Sequence, residues 1–546
     1  VRLAGNSSSL RKTSWVVWGG IAASLGLVAL AAGMFLSMWT AGQGQGAADL
    51  DIAAIWATLW FTLFQAGAST LLSVALGLTV AWSISHLRFP GRHQLIALLS
   101  ISMVLPTLVV VLGLITVLGR QGWLNQLFGA AGSAGIGVAI YGLGGILTAH
   151  VFMNAPFAAR LLLQRLDGVP VEKLKLGRSL GLSPWQRFRF IEWHALVSSL
   201  PGLCSTIFLL CFTSFAVVLT LGGSPRFNTL EVAIYEAIKL EFDIQHAVAI
   251  SLVQLAVCGF FVVSASMFRS QDRSLAIRAE RFLWPEPAIL RLLQSAFIFI
   301  FALAYLAPLL AVVVDGLAAD IAGLLAQRVF VRALITSFML ATLTSVITLA
   351  IALLISRARQ RLTSPLHNRQ TRWVSILSSM MTVSGTIYLA IPSLVMALGF
   401  FLIARRLASD VYVFAPLALL LANVLMALPF ALAILYPAVQ KAGFKHDRLS
   451  SSLGLSGFAR WRLVDFPAIR AEVGFVSALS FCFSFGDLGV ISVFGNRDFS
   501  TLPWVLYQKM GSYRTTDAAG IALILLVTTF VVFTVVPRCY REKRDA

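Results

Sequence analysis

Apolar runs of eighteen or more residues recur along the whole chain, separated by short polar segments, which is the pattern of helices that cross a bilayer. Spanning helices are predicted at about 15–38, 57–83, 95–119, 138–162, 198–221, 245–268, 291–314, 332–356, 374–404, 412–436, 472–495 and 517–537. The first run follows Arg2, Arg11 and Lys12, as the apolar core of a signal peptide would. It is longer than the roughly 7–15 residues of such a core, and no clear small-residue cleavage site follows, so it is expected to stay as a span.

The pattern repeats. Ser179-Leu180-Gly181-Leu182-Ser183 returns 273 residues later as Ser452-Leu453-Gly454-Leu455-Ser456. At the same offset Pro156-Phe157 meets Pro429-Phe430, Arg187 meets Arg460, Glu192 meets Asp465, and Phe212 meets Phe485. Upstream, Leu105-Pro106-Thr107-Leu108-Val109 matches Ile391-Pro392-Ser393-Leu394-Val395. The chain therefore reads as an all-α membrane protein of about twelve spans in two parallel repeats. Residues 57–268 and 332–537 form the repeats; 1–56 and 269–331 each hold one extra span with its flanking loops, and 538–546 is a tail. Parallel repeats are related by an axis along the membrane normal, the natural line for a solute to cross.

Composition agrees: 58% of the 546 residues are hydrophobic and 12% charged, against about 25% charged in an ordinary soluble protein. The net charge of +19 comes from short loops between apolar runs, so it reports topology and not nucleic-acid binding, for which base-stacking aromatics among the charges are missing. An amino terminus inside the cell puts most of the 42 Lys and Arg residues on the cytoplasmic side, with Arg120, Arg226, Lys239, Arg405 and Arg406 among the few outside. By the positive-inside rule a bacterial plasma membrane protein with both termini cytoplasmic is expected. The five cysteines form no CxxC pair, so no metal site or disulfide is read from them.

Two cytoplasmic loops, about 163–197 and 437–471, are much longer than the rest. In the first, Pro170 suits a helix start, Gly181 a left-handed stop, and Ser183-Pro184 a second start. Trp185, Phe188 and Ile191 then alternate with Arg187, Arg189 and Glu192. Two short amphipathic helices joined at a glycine make a knob suited to a groove on a partner.

This arrangement resembles the coupling loop of type I ABC importer permeases, which inserts into a cleft of the ATPase subunit. The family's glycine falls on Gly181 and Gly454; its Glu-Ala-Ala triplet falls on Lys175-Leu176-Gly177 and Arg448-Leu449-Ser450, where both repeats depart from it. Fused two-domain permeases of this kind serve iron(III), thiamine and related importers. Phe485-Gly486-Asp487-Leu488-Gly489-Val490, Phe494-Gly495-Asn496-Arg497-Asp498-Phe499 and Cys211-Phe212-Thr213-Ser214-Phe215 are similar to the thiamine permeases among them. The resemblance implies two copies of an ABC ATPase, a periplasmic solute-binding protein, and thiamine as cargo, with iron(III) as the alternative. Ser179, Gly181, Leu182, Ser183 and Arg187, with Ser452, Gly454, Leu455, Ser456 and Arg460, become the candidate ATPase-coupling residues.

Few charges lie in the spans. Asp487, whose repeat partner is Ser214, is the best candidate for a pathway or gate residue; His150 and Asn154 are further candidates to line the path. A proton- or sodium-coupled carrier would need intramembrane acids or broken helices, and the sequence offers little of either. An embedded enzyme would need clustered acids or histidines, and the seven histidines are scattered, so no catalytic residue is assigned. No GxxxxGK[ST] loop occurs, so the chain has no phosphate cradle of that kind and no cofactor of its own is expected; ATP would be used by a partner. The purified chain alone is accordingly expected to neither bind nor hydrolyse ATP; micromolar nucleotide binding in equilibrium dialysis would refute this.

Overall fold

The computed structural model describes residues 7–43, 51–130, 140–223, 225–267, 284, 286–363, 372–407, 410–455 and 457–540. Among them ten helices are long and apolar enough to span a bilayer. Two bent pairs, Pro184–Val197 with Leu200–Phe212 at 60° and Arg372–Leu389 with Ser393–Leu407 at 100°, bring the number to twelve. Lipid-facing surface is recognisable from side chains: on helix Ala288–Leu317, Ile289, Leu292, Phe299, Ile300 and Leu303 are exposed while Phe301, Tyr305 and Val312 are buried. On the first helix, exposed Trp15 and Trp39 stand 24 residues apart, about 36 Å at 1.5 Å per residue. That separation places an indole at each interface of a ~30 Å hydrocarbon layer.

Several predicted spans are not straight. The span at 95–119 is helix Arg92–Ile101, a 3₁₀ turn Ser102–Val104, extended Leu105 and Pro106, and helix Thr107–Leu118. Pro106 lacks an N–H and pushes Leu105 out of the helical region. The span at 374–404 breaks in the same way before Pro392. Those at 198–221 and 472–495 break at 213–215 and 486–488. The second long loop also differs from expectation. Its first helix is no separate element but the end of a 38-residue helix, Ala415–Ser452. Where the first repeat has Gly168-Val169-Pro170 to stop the span and restart a helix, the second has Lys441-Ala442-Gly443, with no proline to interrupt it.

The halves share one plan. Ile52–His86 packs along Leu143–Asp167, and Arg328–Thr363 packs along Ala415–Ser452. In each half a hydroxyl from the first of these helices caps a short helix arriving from elsewhere: Thr62 Oγ1 accepts from the Leu230 N–H at 3.1 Å, and Ser337 Oγ from the Leu502 N–H at 2.8 Å. Those short helices, Leu230–Lys239 and Leu502–Gly511, each reach across to the opposite half.

The helix preceding each repeat also crosses over. Helix Ser7–Gly42 lies on the second repeat, where Gly20 faces Ala358, Gly399 faces Met34, and the Tyr388 hydroxyl donates to the Leu27 carbonyl at 2.6 Å. Helix Ala288–Leu317 lies between Thr107–Leu118 of the first repeat and Thr515–Cys539 of the second, with Gly113 against Pro308 and Gly316 against Leu523. These contacts are made by glycine because lipid supplies little hydrophobic drive between helices, so association relies on close van der Waals approach.

A β-carbon at Gly77 would lie 2.6 Å from the Ala158 β-carbon and 2.9 Å from the Ala155 carbonyl oxygen, whereas one at Gly67 on the same helix meets nothing within 4 Å. Gly77→Ala is expected to cost about 1–3 kcal/mol by forcing the helices apart, and Gly67→Ala to be neutral or slightly stabilising. Thermal unfolding of the two variants in detergent checks this; equal midpoints would show that the helices yield without cost.

Candidate functional site

The four helix breaks meet at one place. Residues 102–107, 213–216, 393 and 486–489 all line a cavity of about 310 Å³ between the two repeats. Non-helical backbone at membrane depth is tolerated where it is buried in protein or borders a cavity, because lipid cannot satisfy its N–H and C=O groups. Pro106 from the first repeat touches Gly486 from the second, where a β-carbon would come within 3.1 Å of the proline ring.

The wall obeys the internal repeat. His150 and Asn423, Met153 and Met426, Phe157 and Phe430, Leu210 and Phe483, and Ser214 and Asp487 all line it, each pair 273 residues apart. A cavity bordered by equivalent positions of both halves lies on the axis that relates them. The polar members are held by similar means. Ser69 Oγ is 3.0 Å from His150 Nδ1, and Asn423 donates to Ser484 Oγ at 2.8 Å, which is itself 3.2 Å from Thr344 Oγ1. Asn154 donates to Cys211 Sγ at 3.3 Å.

The structure thus brings Asp487, Ser214, His150 and Asn154, predicted separately, onto one wall. Asp487 caps the turn that follows it, accepting from the N–H groups of Gly489 at 3.2 Å and Val490 at 3.4 Å. Asn423 and the phenylalanines were not singled out from the sequence, although the 273-residue offset pointed from His150 to Asn423. A second missed residue is Glu231. It is fully buried in Leu230–Lys239, where one carboxylate oxygen accepts from Gln254 Nε2 at 3.1 Å and the other has no partner, and its helix packs against Ser393–Leu407 of the second repeat. The expectation that the spans offer little in the way of broken helices needs correction, since four spans break at the cavity, and Glu231 adds one buried acid to Asp487. Glu231 lies in a segment too short and mixed to read as membrane-embedded, and breaks at proline or glycine do not lower the hydropathy of a span.

The two long loops lie away from this cavity. In the first, helix Val171–Ser179 ends with Gly181 at φ +67°. The Gly181 N–H bonds the Arg178 carbonyl at 3.1 Å and the Leu182 N–H bonds that of Gly177 at 3.2 Å, the paired bonds of a Schellman stop. The second loop repeats it: Gly454 has φ +65°, and the Leu455 N–H bonds the Ser450 carbonyl at 2.9 Å. Ser179 and Ser452 fold back identically, each hydroxyl donating to the carbonyl three residues earlier at 2.8 Å. Ser183 opens the next helix with a capping box, exchanging bonds with Gln186; its counterpart Ser456 lies outside the described residues. At the tips Leu180 and Trp185, and their counterparts Leu453 and Phe458, are exposed.

Behind each tip a short π-helix, Phe188–Glu192 or Trp461–Asp465, carries the chain back towards the membrane. Each is gripped by ion pairs. Arg187, fully buried, pairs with Glu192 at 2.9 Å and Glu286 at 2.5 Å and sits against the Trp284 ring. Arg460 pairs with Asp465 at 3.3 Å and with Asp447. The end of the first long helix of each repeat closes on the same acid: His86 Nε2 on Glu192 and Arg357 on Asp465, both at 2.8 Å. Burial alone would raise the Glu192 carboxyl, but the hydrogen bond and charge of His86, the charge of Arg187 and the Trp82 indole outweigh it and hold the group below its ordinary value. His86 and Arg357 escaped the sequence reading because their side chains share only a role, not a chemistry.

Residues 73–275 match the family described as binding-protein-dependent transport system inner membrane component. The chain is 37% identical to the thiamine transport system permease protein of Brucella abortus, over 97% of this chain and 96% of the relative. It is 36% identical to that of Escherichia coli (95% and 96%) and 36% identical to that of Haemophilus influenzae (89% and 88%). Similarity running through both halves, with one cavity on their common axis and a matched pair of loops, leaves one assignment: the chain belongs to the fused, two-domain permeases of binding-protein-dependent ABC importers, multi-pass transport subunits of the inner membrane.

Proposed function

We propose that this permease carries thiamine into the cell, taking it from a periplasmic binding protein and passing it along the axis between repeats 57–268 and 332–537. The similarity over nearly the whole length to proteins named for thiamine transport carries the substrate reading. In this reading the chain holds no nucleotide, and two copies of a separate ABC ATPase seat the loops bearing Gly181 and Gly454. The excess of basic residues beside those loops supports a cytoplasmic side for them and, with the charge pattern of the other short loops, for both termini. Motion enters at Leu180, Trp185, Leu453 and Phe458. It passes through the Arg187–Glu192 and Arg460–Asp465 pairs to His86 and Arg357, at the ends of the long helices that flank the cavity.

A strain unable to make thiamine and lacking this permease is expected to need far more external thiamine for growth than its parent. If it instead lost only iron uptake, the substrate reading would fall.

Gly181 and Gly454 each face open space, so a replacement there meets no steric neighbour, only the cost of positive φ, about 1–2 kcal/mol for an ordinary residue. Gly181→Val and Gly454→Val are expected to leave the protein in the membrane while weakening ATPase association or substrate-stimulated hydrolysis. Wild-type co-purification and transport in the double variant would remove the loops from the coupling role.

A further inference from the structure

We propose that Asp487 makes the cavity between the repeats a selective site for an organic heteroaromatic cation, so that the permease itself, and not only the delivering protein, discriminates by the charge of the cargo. This rests on the reading of the chain as a thiamine importer and extends it to the residue that meets the charged ring.

The first argument is charge. The protein carries an excess of nineteen positive charges, yet no Lys or Arg is among the described residues lining the cavity, and Asp487 is the one carboxylate there. Glu231, the other buried acid in this part of the bundle, accepts from Gln254 and does not line the wall. A carboxylate set in a largely apolar chamber without a protein cation opposite it is left uncompensated. A cationic cargo supplies the missing charge; an anionic one meets repulsion with no basic group to offset it.

The second argument is shape and polarity. Phe157 and Phe430, related by the repeat, bring ring systems to the wall from both halves, and Phe483 stands near Asp487 in the chain on the same wall. Aromatic faces attract flat cations. His150 lines the cavity, is buried, and has its Nδ1 engaged by Ser69 while its buried Nε2 has no partner, so the wall carries an unsatisfied polar group.

The third argument is asymmetry. The repeat places Ser214 where the other half has Asp487. Capping a turn needs only an oxygen, which Ser or Asn supplies as well as Asp. The negative charge is therefore surplus to the cap. The two backbone N–H contacts also leave further lone pairs on both carboxylate oxygens.

Asp487→Asn keeps an amide oxygen for the cap and removes the charge; Asp487→Ser installs the first repeat's own residue. The complete transporter, with its ATPase and binding protein, is reconstituted in vesicles, and uptake is measured for thiamine and for its neutral isostere in which a thiophene replaces the thiazolium. Wild type and variants share one binding protein, so the variant-to-wild-type ratio for each compound isolates the permease. Both variants are expected to lower the ratio of thiamine uptake to neutral-isostere uptake about tenfold or more. Equal losses for both compounds would show a cap or gate and overturn the proposal, as would no loss for either. Failure of the wild type to take up thiamine at all would strike the substrate reading itself, and the proposal with it.

Discussion

Glycine and alanine at the helix crossings are the constraint on which the rest of this structure depends. In lipid, an apolar side chain gains little by leaving tails for another helix, so helices hold together by approaching closely. Gly77 against Ala158, Gly113 against Pro308 and Gly316 against Leu523 are such approaches, and they run within a repeat, between a leading helix and the repeat it crosses to, and between that helix and the far end of the chain. Because the first leading helix lies on the second repeat and the second lies between the two repeats, the halves are clasped twice around a common axis. Each short helix capped by Thr62 or Ser337 adds a further reach across it.

That clasp permits the helix breaks. Backbone at Pro106, Thr213–Phe215, Pro392 and Gly486–Leu488 leaves the helical pattern at membrane depth, and the cost is tolerable because each break faces the cavity or the opposing half and not lipid. The same breaks bring backbone polar groups to a cavity wall that is otherwise largely apolar, with Phe157, Phe215, Phe430 and Phe483 among its larger members. Duplication supplied the two-sided geometry; divergence at single positions, Ser214 against Asp487 and His150 against Asn423, gave the two sides different chemistry.

The loops show the complementary strategy. Their tips are exposed, but Arg187 and Arg460 anchor them from behind through acids that the long helices also grip. In the first repeat Arg187 is fully buried with two carboxylates and a tryptophan. Removing one member would leave the others buried without compensation, so the cluster moves as a unit or not at all. Its second carboxylate, Glu286, belongs to the segment leading into helix Ala288–Leu317 and connects the first loop to the helix that crosses between repeats.

The sequence by itself determined the twelve spans, the duplication, the left-handed stops at Gly181 and Gly454, and the family. Each of these is written in local hydropathy, in self-similarity or in a backbone conformation that glycine adopts at little cost. It also marked Asp487, Ser214, His150 and Asn154, because polar residues in an apolar run stand out one at a time. Only the tertiary structure decided that these four share one wall, that Glu231 is buried between the repeats, and that the leading helices cross over. It also decided that the second loop begins as a continuation of its span. The physical reason is common to all of them: convergence, burial and crossing depend on how helices distant in sequence pack, and hydropathy along one helix carries no information about which neighbour its small residues will meet.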